Sequence, residues 1–177
     1  MTDQRHPSTP QPPAHDDEPT DDIIVHVALE GLLPSGHILA LHRILGTLSH
    51  LTLVQEQPRM LGGQFFSTTE VNLLLPLPEQ YPHYCPYEVL WASFHGSTSE
   101  QAITGARTRL QQAREEGNWD EEMRPLRNML SRARLKLQEM GPGIVSLFET
   151  GYLLTRHYRR RLHRKTDDTG GERDVPR

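Results

Sequence analysis

Apolar and polar positions change rhythm several times along the chain. Ile23, Val25 and Val27 alternate with Ile24, His26 and Ala28, a spacing that predicts a short strand. From Ser35, which can cap a helix, Ile38, Leu41, Ile44, Leu45 and Leu48 recur at helical intervals and predict a helix. Leu51, Leu53 and Phe65 fall in extended pieces around Pro58, with Gly62-Gly63 as the expected turn between two strands. Ser67-Thr68-Thr69-Glu70 has the form of a capping box, in which the Ser67 hydroxyl accepts from the Glu70 amide and the Glu70 carboxylate accepts from the Ser67 amide. The run Val71, Leu73, Leu74 and Leu77 follows at once. Pro76 and Pro78 interrupt it, because proline lacks an amide donor and crowds the preceding turn, so this helix is short or kinked.

Beyond the Tyr-Pro-His-Tyr-Cys-Pro connection, Pro86 suits the first turn of a second helix, with Val89, Leu90 and Phe94 on its apolar face and Gly96 at its end. Residues 98–116 predict an additional helix, with Ile103, Ala106, Leu110 and Ala113 on one side. Asp120-Glu121-Glu122 then place acid where a helix dipole favours it, and a longer helix follows over 122–140. Its inner face is Leu126, Leu130, Ala133 and Leu137, and Gly141-Pro142-Gly143 stops it. Two apolar runs around Thr150-Gly151 predict a closing β-hairpin.

Composition changes this picture at the two ends. Of the 177 residues, 35% are hydrophobic, and five of the fourteen prolines (7, 10, 12, 13 and 19) fall in the first twenty positions. Residues 1–21 are therefore expected to form a disordered acidic, proline-rich arm. The formal net charge of −4 hides a polarity. Residues 1–22 hold six carboxylates against Arg5, whereas residues 124–165 hold eleven cations against Glu139 and Glu149. A local excess of that size attracts phosphate whatever the total is. No run approaches the roughly 18 apolar residues of a membrane span. The N-terminus lacks the basic-then-apolar order of a signal peptide, and the single cysteine, Cys85, fits a reducing compartment. A cytoplasmic protein without membrane contact is expected.

The long helix carries the candidate chemistry. With its leucines turned inward, Arg124, Asn128 and Arg132 form an outward stripe at i, i+4 and i+8, with Arg127, Ser131 and Arg134 beside it. Arginine can donate two hydrogen bonds to guanine, and asparagine can pair with the adenine edge, so such a stripe suits a major groove. A solvated basic face on an amphipathic surface helix would show the same pattern.

At this point residues 62–154 resemble the OmpR/PhoB-type winged-helix DNA-binding domain of bacterial response regulators. Phe66 to Leu74 is similar to the opening of that family's first helix, and Tyr87 to Gly96 to its second. Arg124 to Leu137, with its arginine-x-lysine-leucine ending, is similar to the recognition helix. Ile144 to Leu154, with Thr150-Gly151-Tyr152, is similar to the wing. The resemblance implies an α+β winged helix-turn-helix fold, with a three-helix core, N-terminal strands and a C-terminal β-hairpin wing. In this chain an extra helix is inserted between the second and third helices. It also implies base reading by Asn128, Met129 and Arg132, phosphate contact by Arg124 and Arg134, and a wing from Ser146 through Phe148 to Thr150. Arg127 joins the phosphate set by its position. The chain departs from the family at Phe148, where many members have arginine, at Glu149 in place of a glycine, and at Pro125 in place of a small hydroxyl residue. The residues ahead of the resemblance are too few for a receiver domain, so phosphorylation control is not expected.

The expected organisation is a 1–21 arm, a small strand-helix element over 22–56, a winged-helix domain over 57–156, and a basic tail over 157–177. Arg159, Arg160 and Arg161 in that tail are expected to supply phosphate contacts that the wing has lost. The face of Ile38, Leu41, Ile44, Leu45 and Leu48 either makes a homodimer or packs on the winged helix. The 97–120 insertion is a surface for RNA polymerase or another protein. The ten histidines show no His-x3-His spacing, Cys85 has no local base, and no cofactor, metal or catalysis is expected. The function expected is double-stranded DNA binding by a bacterial transcriptional regulator. The alternative is a protein–protein interaction module on a winged-helix scaffold that has lost DNA binding.

Overall fold

The computed structural model describes residues 23–55 and 57–157. The arm over 1–21 and the tail from 158 onward, with Arg159, Arg160 and Arg161, lie outside the described residues. The architecture is mixed α and β, with two antiparallel sheets separated in sequence by helices.

The first sheet is a meander of β1 (Ile24–Val27), β2 (His37–His42), β3 (Thr47–Val54) and β4 (Gln57–Phe65) in that order. The helix expected from Ser35 to Leu48 is not formed; β2, a turn and β3 occupy that stretch. Its apolar run Ile38-Leu39-Ala40-Leu41 satisfies helix and strand spacing alike. Tertiary packing decides, because Leu39 and Leu41 sit on one face opposite His50 and Leu48 and are buried with it. Glycines at positive φ, Gly36 and Gly46, bound the stretch. At Gly46 a Cβ would lie 2.1 Å from the Phe66 carbonyl oxygen, so only glycine lets the β2–β3 turn approach the end of β4. Of the face expected either to dimerise or to pack on the rest of the chain, Leu41 and Leu48 are core residues whereas Ile44 and Leu45 are exposed.

Gly62-Gly63 is not a turn either. Both glycines lie inside β4, opposite His50 and Ser49, beside a register shift at His50/Leu51. The chain instead reverses at Gln55, with φ of 51°. Pro58 is tolerated because β4 is an edge strand, where an amide donor can be spared. The break expected at 56/57 thus falls within the β3–β4 hairpin.

The helical part follows its pattern closely. Ser67 caps α1 (Thr68–Leu74) with both halves of the capping box present, and the helix passes at Pro76 into α2 (Pro76–Gln80). After β5 (Cys85–Pro86) come α3 (Tyr87–Phe94), α4 (Glu100–Glu115), which is the additional helix expected over 98–116, and α5 (Trp119–Gln138). Met123, Leu126, Leu130, Ala133 and Leu137 are buried along one side of α5. Each such large apolar side chain contributes about 1.5–3 kcal/mol when taken from water. β6 (Pro142–Leu147) and β7 (Gly151–Arg156) form the closing hairpin, and β5 pairs with β7 to make a three-stranded sheet. Gly151 is required there, because a Cβ would meet the Cys85 carbonyl oxygen at 2.1 Å. The core joins both sheets to the helices. A cavity of about 40 Å³ within it is lined by Leu39, Leu41 and Leu48 from the first sheet, Leu74 and Leu77 from α1 and α2, and Leu137 and Leu154.

Candidate functional site

The outward side of α5 carries the stripe expected from helical spacing. Arg124, Asn128 and Arg132 are all exposed, and among the described residues no carboxylate pairs with either arginine. Burying the 126/130/133/137 face forces this, since the stripe sits across the helix from it. Met129 differs from its three companions: it is half-buried and packs against the core. Leu135, which sequence reasoning passed over, is 67% exposed one turn beyond Arg132, and the i+3 spacing from Arg132 was the available signal.

Beside the stripe, α5 and the hairpin enclose an open cleft of about 430 Å³. Arg127, Ser131 and Arg134 line it from the helix, and Ser146, Glu149 and Tyr152 from the hairpin. Arg127 is not free, because its Nη1 donates to Asp120 at 2.7 Å. Arg134 is half-buried, and its Nε is enclosed without a hydrogen-bond partner among the described residues. The Tyr152 hydroxyl is pushed above its ordinary pKa by burial and by Tyr87, while Arg127 and Arg134 pull it back. Both guanidinium groups line the cleft, where Asp120 and Glu149 oppose them. Two guanidiniums with two serine hydroxyls are suited to hold an anionic oxygen, with Asp120 as the internal competitor.

The hairpin tip closes one end of this cleft. Ser146, Phe148 and Thr150 are all exposed, and Phe148 most of all at 88%. Glu149 adopts a positive φ of 53°, in the left-handed region where a turn reverses the chain. Its carbonyl accepts from Arg114 Nη2 of α4 at 3.2 Å, and the Arg114 guanidinium stacks over Trp119 at 4.3 Å.

Other charges are committed to structure. Glu70, nearly fully buried, accepts from the Ser67 amide and from Lys136 Nζ, both at 2.8 Å, which ties the start of α1 to the end of α5. Burial works to raise the Glu70 pKa, but Lys136 and the Ser67 donors outweigh it and hold the carboxyl below its usual value. Arg107 meets Glu88 at 3.4 Å, and Arg109 meets Glu122 at 2.9 Å. Lys136, a member of the basic run, thus has a carboxylate of its own.

Two histidines come together that sequence spacing keeps apart. His37 Nδ1 and His50 Nε2 lie 2.9 Å from each other across β2 and β3. Burial, then the neighbouring His37, lowers the His50 pKa. Among the described residues no group of three or more histidine, cysteine or acidic side chains could hold a metal. Cys85 is buried, and its thiol is pushed up to about 12, first by burial and then by Glu79 and Glu88. Thiolate is therefore scarce at neutral pH. No described helix is long and apolar enough to cross a membrane.

Comparison of the chain with protein-family models, with curated proteins and with solved structures finds no match.

Proposed function

We propose that this protein binds double-stranded DNA as a transcription regulator, on a winged-helix scaffold in which α5 is the recognition helix and β6–β7 the wing. The single observation that carries the reading is the stripe of Arg124, Asn128 and Arg132, free of ion pairs among the described residues and exposed on a helix whose other side is closed by leucines. Its chemistry matches base edges in a major groove: paired donors from arginine for guanine, donor and acceptor from asparagine for adenine. The neighbouring cleft adds Arg127 and Arg134 for the phosphates of a flanking backbone. The 97–120 insertion, which carries α4, is in this reading a surface for RNA polymerase or another protein.

Fluorescence anisotropy against mixed duplex DNA at two salt concentrations tests the reading. Each phosphate neutralised steepens the dependence of log affinity on log salt by about 0.9. A binder weakens steeply with salt, and Asn128→Ala with Arg132→Ala flattens its preference among sequences. The rival, an interaction module without DNA affinity, draws on the exposed Phe148 beside Glu149. It expects no salt-dependent binding at all, and that result overturns the proposal.

A further inference from the structure

We propose that the hairpin tip is an apolar wedge: Phe148 inserts at a base step of bound duplex DNA, unstacks it and bends the helix. This rests on the DNA-binding reading and assigns the tip a role that its charge cannot perform. A wing that holds phosphate needs cations, and here the tip offers a carboxylate, Glu149, next to a phenyl ring. The ring is the most exposed large apolar side chain among the described residues, at 88%.

The tip is built to present that ring. The Thr150 amide donates to the Leu147 carbonyl at 3.2 Å, and Thr150 Oγ1 donates to the Phe148 carbonyl at 2.9 Å, closing the turn on both sides of residue 148. Arg114 reaches across from α4 to the Glu149 carbonyl, and its positive charge lies beside the Glu149 position. Below, the Tyr87 amide donates to the Thr150 carbonyl at 3.3 Å, and Gly151 sits against Cys85, so β5 anchors the base of the turn. A loop free to rearrange would fold a phenyl ring back onto apolar surface; this one is held from three elements with the ring outward.

Phe148 lines the same cleft as Arg127 and Arg134. A duplex with its groove on the α5 stripe and its backbone at those arginines therefore brings the tip against the adjoining groove. Bulky apolar side chains that enter a groove unstack a step and kink the duplex, which exposes more DNA surface to the protein. Pyrimidine–purine steps yield most easily, so such a step is expected under the tip. The inserted helix α4 gains a function in this account as the brace of the wedge.

The experiment uses the full chain and a duplex carrying 2-aminopurine at successive steps, with donor and acceptor dyes at its ends. Wild-type binding should raise 2-aminopurine fluorescence at one step and shorten the end-to-end distance. Phe148→Ala should abolish both signals and weaken affinity at every salt concentration by about tenfold or more, the change expected when one aromatic side chain loses its buried contact. Its salt slope should match wild type, since no charge is lost. Phe148→Leu, still a wedge, should retain most of the bend. Bound DNA that stays straight, or a bend that survives Phe148→Ala, overturns the wedge and leaves the DNA-binding reading standing. A wild-type protein that binds no duplex overturns both, and capture of a protein partner that depends on Phe148 would then assign the ring to the interaction module.

Discussion

The cations around α5 divide into two sets with opposite fates. On the sides that face α1, α4 and its own N-terminal turn, they are paired: Lys136 with Glu70, Arg109 with Glu122 through the Glu122 carboxylate, and Arg127 with Asp120. On the outward side, neither Arg124 nor Arg132 forms an ion pair among the described residues. The same residue types therefore do different work. The paired set holds elements together, and the unpaired set leaves charge available to a partner. Counting cations along 124–165 overstates the second set, because part of that charge is already neutralised inside the molecule.

The largest effect is expected at the Glu70–Lys136 pair, whose carboxylate is buried. Lys136→Met would leave the Glu70 carboxylate enclosed without its cation, and removing one partner of such a pair costs about 3 kcal/mol. The Ser67 donors remain, so thermal unfolding should show a large fall in midpoint with the capping box still formed, while duplex affinity per folded molecule changes little. A Lys136→Met protein as stable as wild type would show that the two sets are not distinct.

Next in size is a matched pair of arginine deletions. Arg132→Ala should lose about 1–3 kcal/mol of discrimination between duplex sequences, the worth of one bidentate base contact. Arg107→Ala, which removes only the exposed partner of Glu88, should leave both affinity and discrimination within error. Binding isotherms on two duplexes read both. Equal losses from the two variants would mean that only total charge matters.

Asp120→Asn moves a residue from one set to the other. Surface ion pairs contribute under about 1 kcal/mol, so stability should hardly change. Freed of its competitor, Arg127 should hold its phosphate without first giving up an ion pair, so duplex affinity at low salt should rise severalfold. An unchanged affinity would place Arg127 outside the interface.

The gentlest test is acid. Glu70 is held below its ordinary pKa, so its contribution is complete above the unfolded value of 4.5 and disappears as pH falls through the lower folded value. His50 has a lowered pKa in the folded protein, so its contribution is complete above 6.5 and is lost as pH falls below that value. Unfolding midpoints measured from pH 7.5 downward should therefore decline in two windows. Glu70→Gln should remove the lower one, and His50→Gln the upper one; a midpoint independent of pH across both windows would contradict these assignments.

How much of this was legible from residues differs between the same two halves of the molecule. The helices declare themselves because their determinants are local. Ser67 and Glu70 are three apart, and the α5 leucines repeat within one segment. The first sheet does not, because Leu39 and Leu41 acquire their burial from strands distant in the chain, and because Gly62-Gly63 serves a register shift instead of a reversal. Exposure of Arg124, Asn128 and Arg132 follows from helical spacing alone. The Arg127–Asp120 pair was within reach of the same reasoning, two turns apart on one face. The His37–His50 contact required the strand register, and the enclosure of Arg134 required the hairpin to be folded against α5. Neither could be read from spacing.

Amide chemical-shift mapping of the full chain during titration with duplex DNA tests the account most directly. Perturbations should concentrate on residues 124–135 of α5 and 146–150 of the hairpin, with the exposed face of the first sheet around Ile38, Leu51 and Met60 unmoved. Perturbations confined to that sheet, or none with DNA in excess, would contradict it.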